Sequence, residues 1–459
     1  MVKRREIVMK TIQKLIACFA FLVLTTTAAF STSVPPVAKV GNTEYSSFGN
    51  ALAAWTNGTT LTLLADVTVS STITVGIETD AGYNSETHTT NQYTYTLDLN
   101  NHGIMFTGVS GSVIIIDEYK GLTVNDSATT KTDRYITLDA QGRGVSVSNT
   151  GTESSTCVKV TGGYITGGNA TSGGGVKTEY NSKGFTMNAG TIVGNIAGYG
   201  GGIYIEMGGA RIKGNSKIIK NIATDCGGGI FAYGSKPYVC DSIQIIDNKK
   251  ISGSADNVFL CANSGDITFG FMTTSLNENA RIGVTVISGH SRIITSSFYG
   301  NSSNPKGSVS NFISDDPAYT VVLNSSGEAV LVPCARVTAN ADPNNTGTYY
   351  ATFYDSTKKY LAGSNTEVYY ATANANGKLT LTKVESKIIK AGEGVILKST
   401  SASIVLTETS ENATYDSILT GSDTATTVTN ALVLSNGESG VSFYKYTGSV
   451  AAHKAWLTE

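Results

Sequence analysis

Asn195-Ile196-Ala197-Gly198-Tyr199-Gly200-Gly201-Gly202-Ile203 is echoed 26 residues later by Asn221-Ile222-Ala223-Thr224-Asp225-Cys226-Gly227-Gly228-Gly229-Ile230. A looser copy, Asn169-Ala170-Thr171-Ser172-Gly173-Gly174-Gly175-Val176, precedes them. Val176, Ile203 and Ile230 are 27 residues apart, and Asn169, Asn195, Asn221 and Asn248 are 26, 26 and 27 apart. The fourth copy decays to Ala255-Asp256-Asn257-Val258. A fixed period in this range marks stacked repeats. Within a period the apolar residues come in short bursts: Val176-Lys177-Thr178, Phe185-Thr186-Met187 and Thr191-Ile192-Val193, then Ile203-Tyr204-Ile205, Ala210-Arg211-Ile212 and Ile218-Ile219. This is strand periodicity, and helical spacing is absent. Three short strands and their turns predict one triangular coil, stacked on the next at ~4.8 Å as a parallel β-helix.

The glycine runs then have a physical purpose, because corners between strands need positive φ and close backbone approach. The series Asn169, Asn195, Asn221 and Asn248 occupies nearly one phase of the coil and predicts a side-chain ladder from coil to coil. A phosphate cradle is rejected, since no Lys-Ser/Thr and no helix follow the glycines. Further strands are expected at Leu61–Leu64, Thr94–Leu99, Val113–Ile116, Leu122–Val124 and Ile136–Leu138, and downstream at Ile267–Phe269, Ile282–Val286, Arg292–Ile294 and Tyr319–Leu323. At one period each, that stretch predicts about ten coils. Ser46 to Trp55 reads as a helix capped by Ser46 or Ser47. Its Phe48, Leu52 and Trp55 share one face, suited to plugging the first coil.

Composition narrows the class. The 459 residues include 50 Gly and 7 Pro, are 40% hydrophobic and only 15% charged. Few charges with ample apolar residues argue against disorder, and glycine without proline or a three-residue period excludes collagen. The net charge of −2 gives no footprint for nucleic acid. Residues 1–31 read as a secretory signal peptide: Lys3, Arg4, Arg5, Lys10 and Lys14 form the basic region, Leu15 to Leu24 the apolar run, and Thr27-Ala28-Ala29 the cleavage site. That run is too short to span a bilayer, so no transmembrane segment is expected in the mature chain. Removing the segment leaves a net charge of −6. Cys157, Cys226, Cys240, Cys261 and Cys334 remain, an odd number without a C-x-x-C, and read as small buried hydrophobes.

These residues resemble a recurring kind of exported bacterial protein with a right-handed, pectin-lyase-like parallel β-helix. Val37-Ala38-Lys39-Val40-Gly41, the helix to Trp55, Leu61 to Val67 and Leu97-Asp98-Leu99-Asn100-Asn101-His102 resemble its opening module. Asn257-Val258-Phe259-Leu260 to Leu276, Ala280 to Thr285 and Phe312 to Tyr319 resemble its closing module. The Gly-Gly-Gly-Ile runs are also similar to repeats of polymorphic autotransporter passengers, although no translocator barrel follows. The resemblance covers residues ~37–332 and implies the fold and a secreted or cell-surface location.

Beyond Pro333 the composition shifts to Tyr, Thr, Ala and Lys. Strands are expected at Tyr349–Phe353, Glu367–Thr372, Lys378–Val384, Val395–Lys398, Ile404–Thr407 and Val441–Tyr446, with turns at Asn376-Gly377, Gly392-Glu393-Gly394 and Asn436-Gly437. This predicts an antiparallel β-sandwich. The expected organisation is a β-helix with its capping helix over 34–333 and the sandwich over 334–459. Lys378 to Leu397 and Ala452 to Leu457 resemble a C-terminal module of secreted Bacteroidota surface proteins, which implies attachment or sorting at the surface.

The functional expectation is a binding or adhesion module for a glycan or a surface protein, acting as a monomer without cofactor or metal. Tyr204 and Phe231 follow Ile203 and Ile230 as Lys177 follows Val176, so the three form one row, with Glu179 and Glu206 beside it. Facing outward, that row is a candidate adhesive strip; the alternation could equally turn it inward. The alternative is a carbohydrate-active enzyme, a polysaccharide lyase or glycoside hydrolase, on the same fold. His290, Asp315-Asp316 and Arg211-Ile212-Lys213 supply polygalacturonase-like residue types in reversed order, and Glu179 with Glu206 could form a cation or sugar site.

Overall fold

A computed structural model describes residues 34–76, 82–84, 89–261, 267–285, 292–299, 306–375, 378–437 and 440–458. The signal-peptide reading of residues 1–31 lies outside them, as do His290 and the Asn376-Gly377 turn. The chain is all-β, with several parallel sheets. From Val176 onward it visits four of them in a fixed order. Val176–Thr178 belongs to a six-stranded first sheet, Gly184–Met187 to a nine-stranded second, Thr191–Val193 to an eight-stranded third and Ile196–Tyr199 to a four-stranded fourth. The chain then returns to the first sheet at Ile203–Glu206, one strand further along and parallel to its predecessor.

Register follows the repeat. Val176 pairs with Ile203 and Ile203 with Ile230, then Ile230 with Val258. These four side chains are fully buried. One core runs from Ala38 to Leu331 through strands of the first three sheets. It starts under Phe48–Ala54, a helix whose N-cap Ser47 accepts from the Asn50 N–H. Trp55, just past that helix, is buried edge-on against Tyr95. The antiparallel pair Ala38–Val40 and Thr43–Tyr45 closes the outer end of the second sheet, so parallel stacking begins only at Thr60–Leu63.

Inside the stack runs a chain of amides. The side-chain oxygen of Asn221 accepts from the backbone N–H of Asn195 at 3.1 Å and from its Nδ2 at 3.0 Å. Asn248 does the same for Asn221, both at 3.0 Å. Each Nδ2 also lies within hydrogen-bond reach of two carbonyls, Ile165 and Val193 for Asn195, Ile192 and Ile219 for Asn221, Ile218 and Ile246 for Asn248, so its two hydrogens are shared among three acceptors. All three asparagines are at most 1% exposed.

Asn169 stands outside this chain. Strand pairing sets it opposite Ile196, and its Nδ2 donates to the Val109 carbonyl. The position facing Asn195 is Gly168, whose N–H donates to the Asn195 oxygen at 2.9 Å. The 26-residue spacing from Asn169 to Asn195 therefore misleads by one place.

The close approach of the next rung's backbone, with the ladder beside it, explains the last glycine of each run. A Cβ on Gly202 would sit 2.5 Å from the Gly229 carbonyl oxygen and 3.1 Å from Asn221 Nδ2, and on Gly229 it would sit 2.7 Å from Asn248 Nδ2. The first glycines, Gly173, Gly200 and Gly227, take φ of +61, +64 and +71° to turn the corner.

Two departures shorten the stack relative to the sequence estimate. Ile136–Leu138 is a strand, but it belongs to an antiparallel three-stranded insert, Asp133–Leu138, Gly144–Ser148 and Cys157–Thr161, built between rungs of the second and third sheets. Arg143 fastens it through hydrogen bonds to the Gly167, Phe106 and Gly108 carbonyls, and Arg134 through an ion pair with Asp66 at 3.3 Å. Tyr319–Leu323 likewise pairs antiparallel, with Ala329–Thr338.

Ala329–Thr338 runs through the expected boundary at 333/334. Its first half packs on the long core, which ends at Leu331, and its second half opens another core at Val337. Beyond it every strand pairing is antiparallel, in two five-stranded sheets and one four-stranded sheet. Phe353, Val368, Val395 and Leu397 from one five-stranded sheet share a core with Val337, Tyr360, Ile389 and Leu406 from the other. No disulfide joins the five described cysteines, and only Cys240 is buried.

Asn221→Ala leaves buried donors and acceptors of both neighbouring rungs unpaired and should cost about 1–3 kcal/mol per orphaned group. Asn169→Ala removes one exposed hydrogen bond and should cost under about 1 kcal/mol. Urea denaturation of the two variants checks the ranking.

Candidate functional site

In the first sheet the residue between two buried neighbours points outward. Lys177, Tyr204, Phe231 and Phe259 occupy that place in four successive strands. Tyr204 and Phe231 stack with centroids 5.5 Å apart and planes 3° from parallel, and Phe231 and Phe259 do so at 5.5 Å and 8°. Tyr199, the last residue of its strand in the fourth sheet, meets Phe231 edge-on at 5.2 Å, and Tyr233 flanks it at 6.4 Å. The row is therefore on the outside, but its rings cover one another. Phe231 is 7% exposed, whereas Tyr199 is 40% exposed. Rings are wider than the strand spacing, so in-register rings must stand and stack rather than lie flat. The row offers ring edges, tyrosine hydroxyls and the Tyr199 ring, with little free ring face at its centre.

Phe259 extends the row and was not among the expected site residues. Its signal was Val258-Phe259, which repeats Ile230-Phe231 after the glycine run has been lost. Glu179 receives the Lys177 ammonium at 2.6 Å. The Glu206 backbone N–H donates to the Thr178 hydroxyl at 2.9 Å, and Glu206 is in register with Tyr233. Burial, then the nearby Glu206, Tyr233 and Glu179, push the Tyr204 hydroxyl up to about 12, so it stays a neutral donor.

The acids weighed for catalysis have structural partners. Asp315 accepts from Asn257 N–H at 2.6 Å and Asn257 Nδ2 at 2.5 Å, and Asn257 in turn accepts from Asn248. Asn257 and Asp315 thus end the amide ladder, neither of them foreseen in that role. Asp316 accepts from the Ala318 N–H, and Arg211 lies over the Tyr238 ring.

The Thr285 hydroxyl lies 2.6 Å from Asp256 and 2.8 Å from Asp315. One hydroxyl carries one proton and can donate to only one carboxylate. Both contacts are hydrogen bonds only when the other carboxyl is protonated and donates to the Thr285 oxygen. Burial pushes both carboxyls above their usual 3.8, and Asp256 raises Asp315 further. Hydrogen bonds from Thr285, Gly227 and Asn257, with Lys250 near Asp256, act in the opposite sense.

The other polar cluster is Asp355, Asp423 and His453 in the C-terminal part, the one group of three metal-capable side chains among the described residues. Asp355 already accepts from Thr357 N–H, Lys358 N–H and the Thr357 and Tyr360 hydroxyls. Asp423 accepts from the Ser356 N–H and hydroxyl. The carboxylates thus serve as turn fasteners. The cluster was not found from sequence because its members are 68 and 30 residues apart.

A carboxyl whose folded pKa is raised stabilises the fold while protonated, and that contribution is lost as pH rises above 3.8 through the raised value. Asp256→Asn imitates the protonated form. Its stability relative to the parent chain should therefore rise with pH across this window, by at most about 1.4 kcal/mol per pH unit. Denaturation curves from pH 3.5 to 7.5 test this; a pH-independent difference contradicts the shared proton.

Compared with known proteins, the chain matches no family model, no curated protein and no solved structure.

Proposed function

We propose that this chain is an exported or cell-surface binding module. In this reading the parallel sheets of residues 34–333 wind as a right-handed, pectin-lyase-like β-helix. The antiparallel sheets of 334–459 form a β-sandwich, with Ala329–Thr338 as the shared element. Function rests on presentation of a surface to a glycan or a surface protein.

The observation that carries this reading is the outward aromatic cluster of Tyr199, Tyr204, Phe231, Tyr233 and Phe259. Aromatic side chains on the outer face of a sheet are costly unless they pack, and here the packing leaves Tyr199 and the Tyr204 edge at the surface. Rigid rings with polar tips are good contact groups. Glu179 and Glu206 rim the patch with hydrogen-bond acceptors. The enzymatic alternative has less support, since Asp315 and Arg211 are held by structural contacts.

A panel of plant and host glycans, immobilised and probed with the mature chain, tests the proposal. Retention without cleavage is expected, whereas new reducing ends or unsaturated uronates would favour the enzyme. Tyr199→Ala with Tyr204→Ala should lower retention at least about tenfold, equivalent to 1.4 kcal/mol, with the fold intact. Phe231→Ala should lower the melting temperature more than the double variant does, because it breaks four ring pairs rather than two, each contributing about 0.5–1.5 kcal/mol. Unchanged retention in the double variant would remove this patch as the contact surface.

A further inference from the structure

A cavity of about 710 Å³ opens in the C-terminal part, within the range of small-molecule sites. Its wall is the second half of Ala329–Thr338, from which Cys334, Arg336 and Thr338 project on one face by strand alternation. Asp355, Lys358, Asp423, His453 and Lys454 complete it.

The charges in this cleft are not equally satisfied. Lys358 pairs with Glu408 at 2.9 Å. Asp355 and Asp423 are held by the turn donors described above. Arg336 uses Nε and one terminal nitrogen on the Pro317 and Tyr319 carbonyls. Lys454 differs. Its ammonium has one contact, the Thr338 carbonyl at 3.4 Å, and among the described residues no carboxylate lies within ion-pair distance. It is only partly exposed. Burial is the sole cause that moves its pKa, and it moves it down, so no acid offsets the desolvation. A partly desolvated cation without a counter-charge is a favourable place for a ligand anion.

We propose that this cleft binds a ligand bearing a carboxylate, held by the Lys454 ammonium with Arg336 beside it. Arg336 and Thr338 lie two residues apart on one strand face, about 7 Å, so Arg336 and the Lys454 ammonium at the Thr338 carbonyl line the same wall of the cleft. Thr338, Thr357, Asp423 and His453 offer donors and acceptors to hydroxyls around such a carboxylate. An acidic sugar, a hexuronate unit, has this chemistry. The site is remote in sequence from the aromatic patch and does not depend on it.

Isothermal titration of the mature chain with trigalacturonate, with the neutral trigalactose and with inorganic phosphate tests the proposal. Binding of trigalacturonate at least tenfold tighter than trigalactose is expected, weakening as salt is raised. Phosphate binding equally well would overturn the acidic sugar in favour of a simple anion site. Lys454→Met keeps the packed stem and removes the charge; it should lose at least tenfold in affinity while melting no lower than the parent chain. Lys454→Arg should restore part of the affinity. Absence of trigalacturonate binding, or equal binding by Lys454→Met, overturns the proposal, and Tyr199→Ala with Tyr204→Ala should leave this titration unchanged.

Discussion

The rest of the stacked region depends on one constraint: buried asparagine amides must find all their hydrogen-bond partners inside the stack. An unpaired buried amide costs more than a made hydrogen bond returns. Asn195, Asn221 and Asn248 meet the constraint by donating and accepting in one direction from rung to rung. This fixes the strand register, because a slip of one residue would orphan every amide at once. Beside the amide lies a glycine whose Cβ would strike the next rung's carbonyl oxygen at 2.5 Å and crowd the amide at 2.7–3.1 Å, at Gly202 and Gly229. The repeated glycines admit the neighbouring rung's carbonyl, and the repeated asparagines line the same place.

The outer surface inherits that register. Once the inward positions are fixed, the residues between them line up across strands, and a Tyr or Phe in one rung meets a ring in the next. Tyr204, Phe231 and Phe259 stack for this reason. The same alignment limits what the row can do, because a ring stacked on both faces has none to give to a ligand. Binding capacity then lies at the margins of the row, where Tyr199 is exposed, and in the antiparallel region, where Lys454 faces a cavity without a counter-ion.

Much of this was legible in the sequence, and the failures have physical causes. Period and alternation located Asn195, Asn221 and Asn248 and most of the strands, and Tyr349–Phe353 was read to the residue. Asn169 was misplaced by one position. Ile136–Leu138 has the composition of a rung, yet its partners are antiparallel, and composition does not report partners. The ladder's end was hidden because Asn257 is 9 residues from Asn248 and Asp315 is 58 from Asn257, neither near the period. Thr426–Gly437, the longest strand among the described residues, was not foreseen; it pairs with Gly440–Val450 in a hairpin whose residues are mostly half-buried or exposed. The Asp355, Asp423 and His453 cluster is assembled by tertiary contacts alone.

In-register stacking is most directly tested by pulsed electron–electron distance measurement between spin labels on outward positions of the second sheet. Thr96, Thr123, Thr186, Arg211 and Tyr238 form one row across successive strands. With the native cysteines replaced by serine, labels at Thr96 and Tyr238 are four strand spacings apart, about 19 Å between backbones, although 142 residues separate them. A narrow distribution near that value is predicted, shortening by about one spacing of ~4.8 Å when the second label moves from Tyr238 to Arg211. A broad distribution, or a distance that does not shorten with that step, would contradict the stacked register on which the ladder, the glycines and the aromatic row all depend.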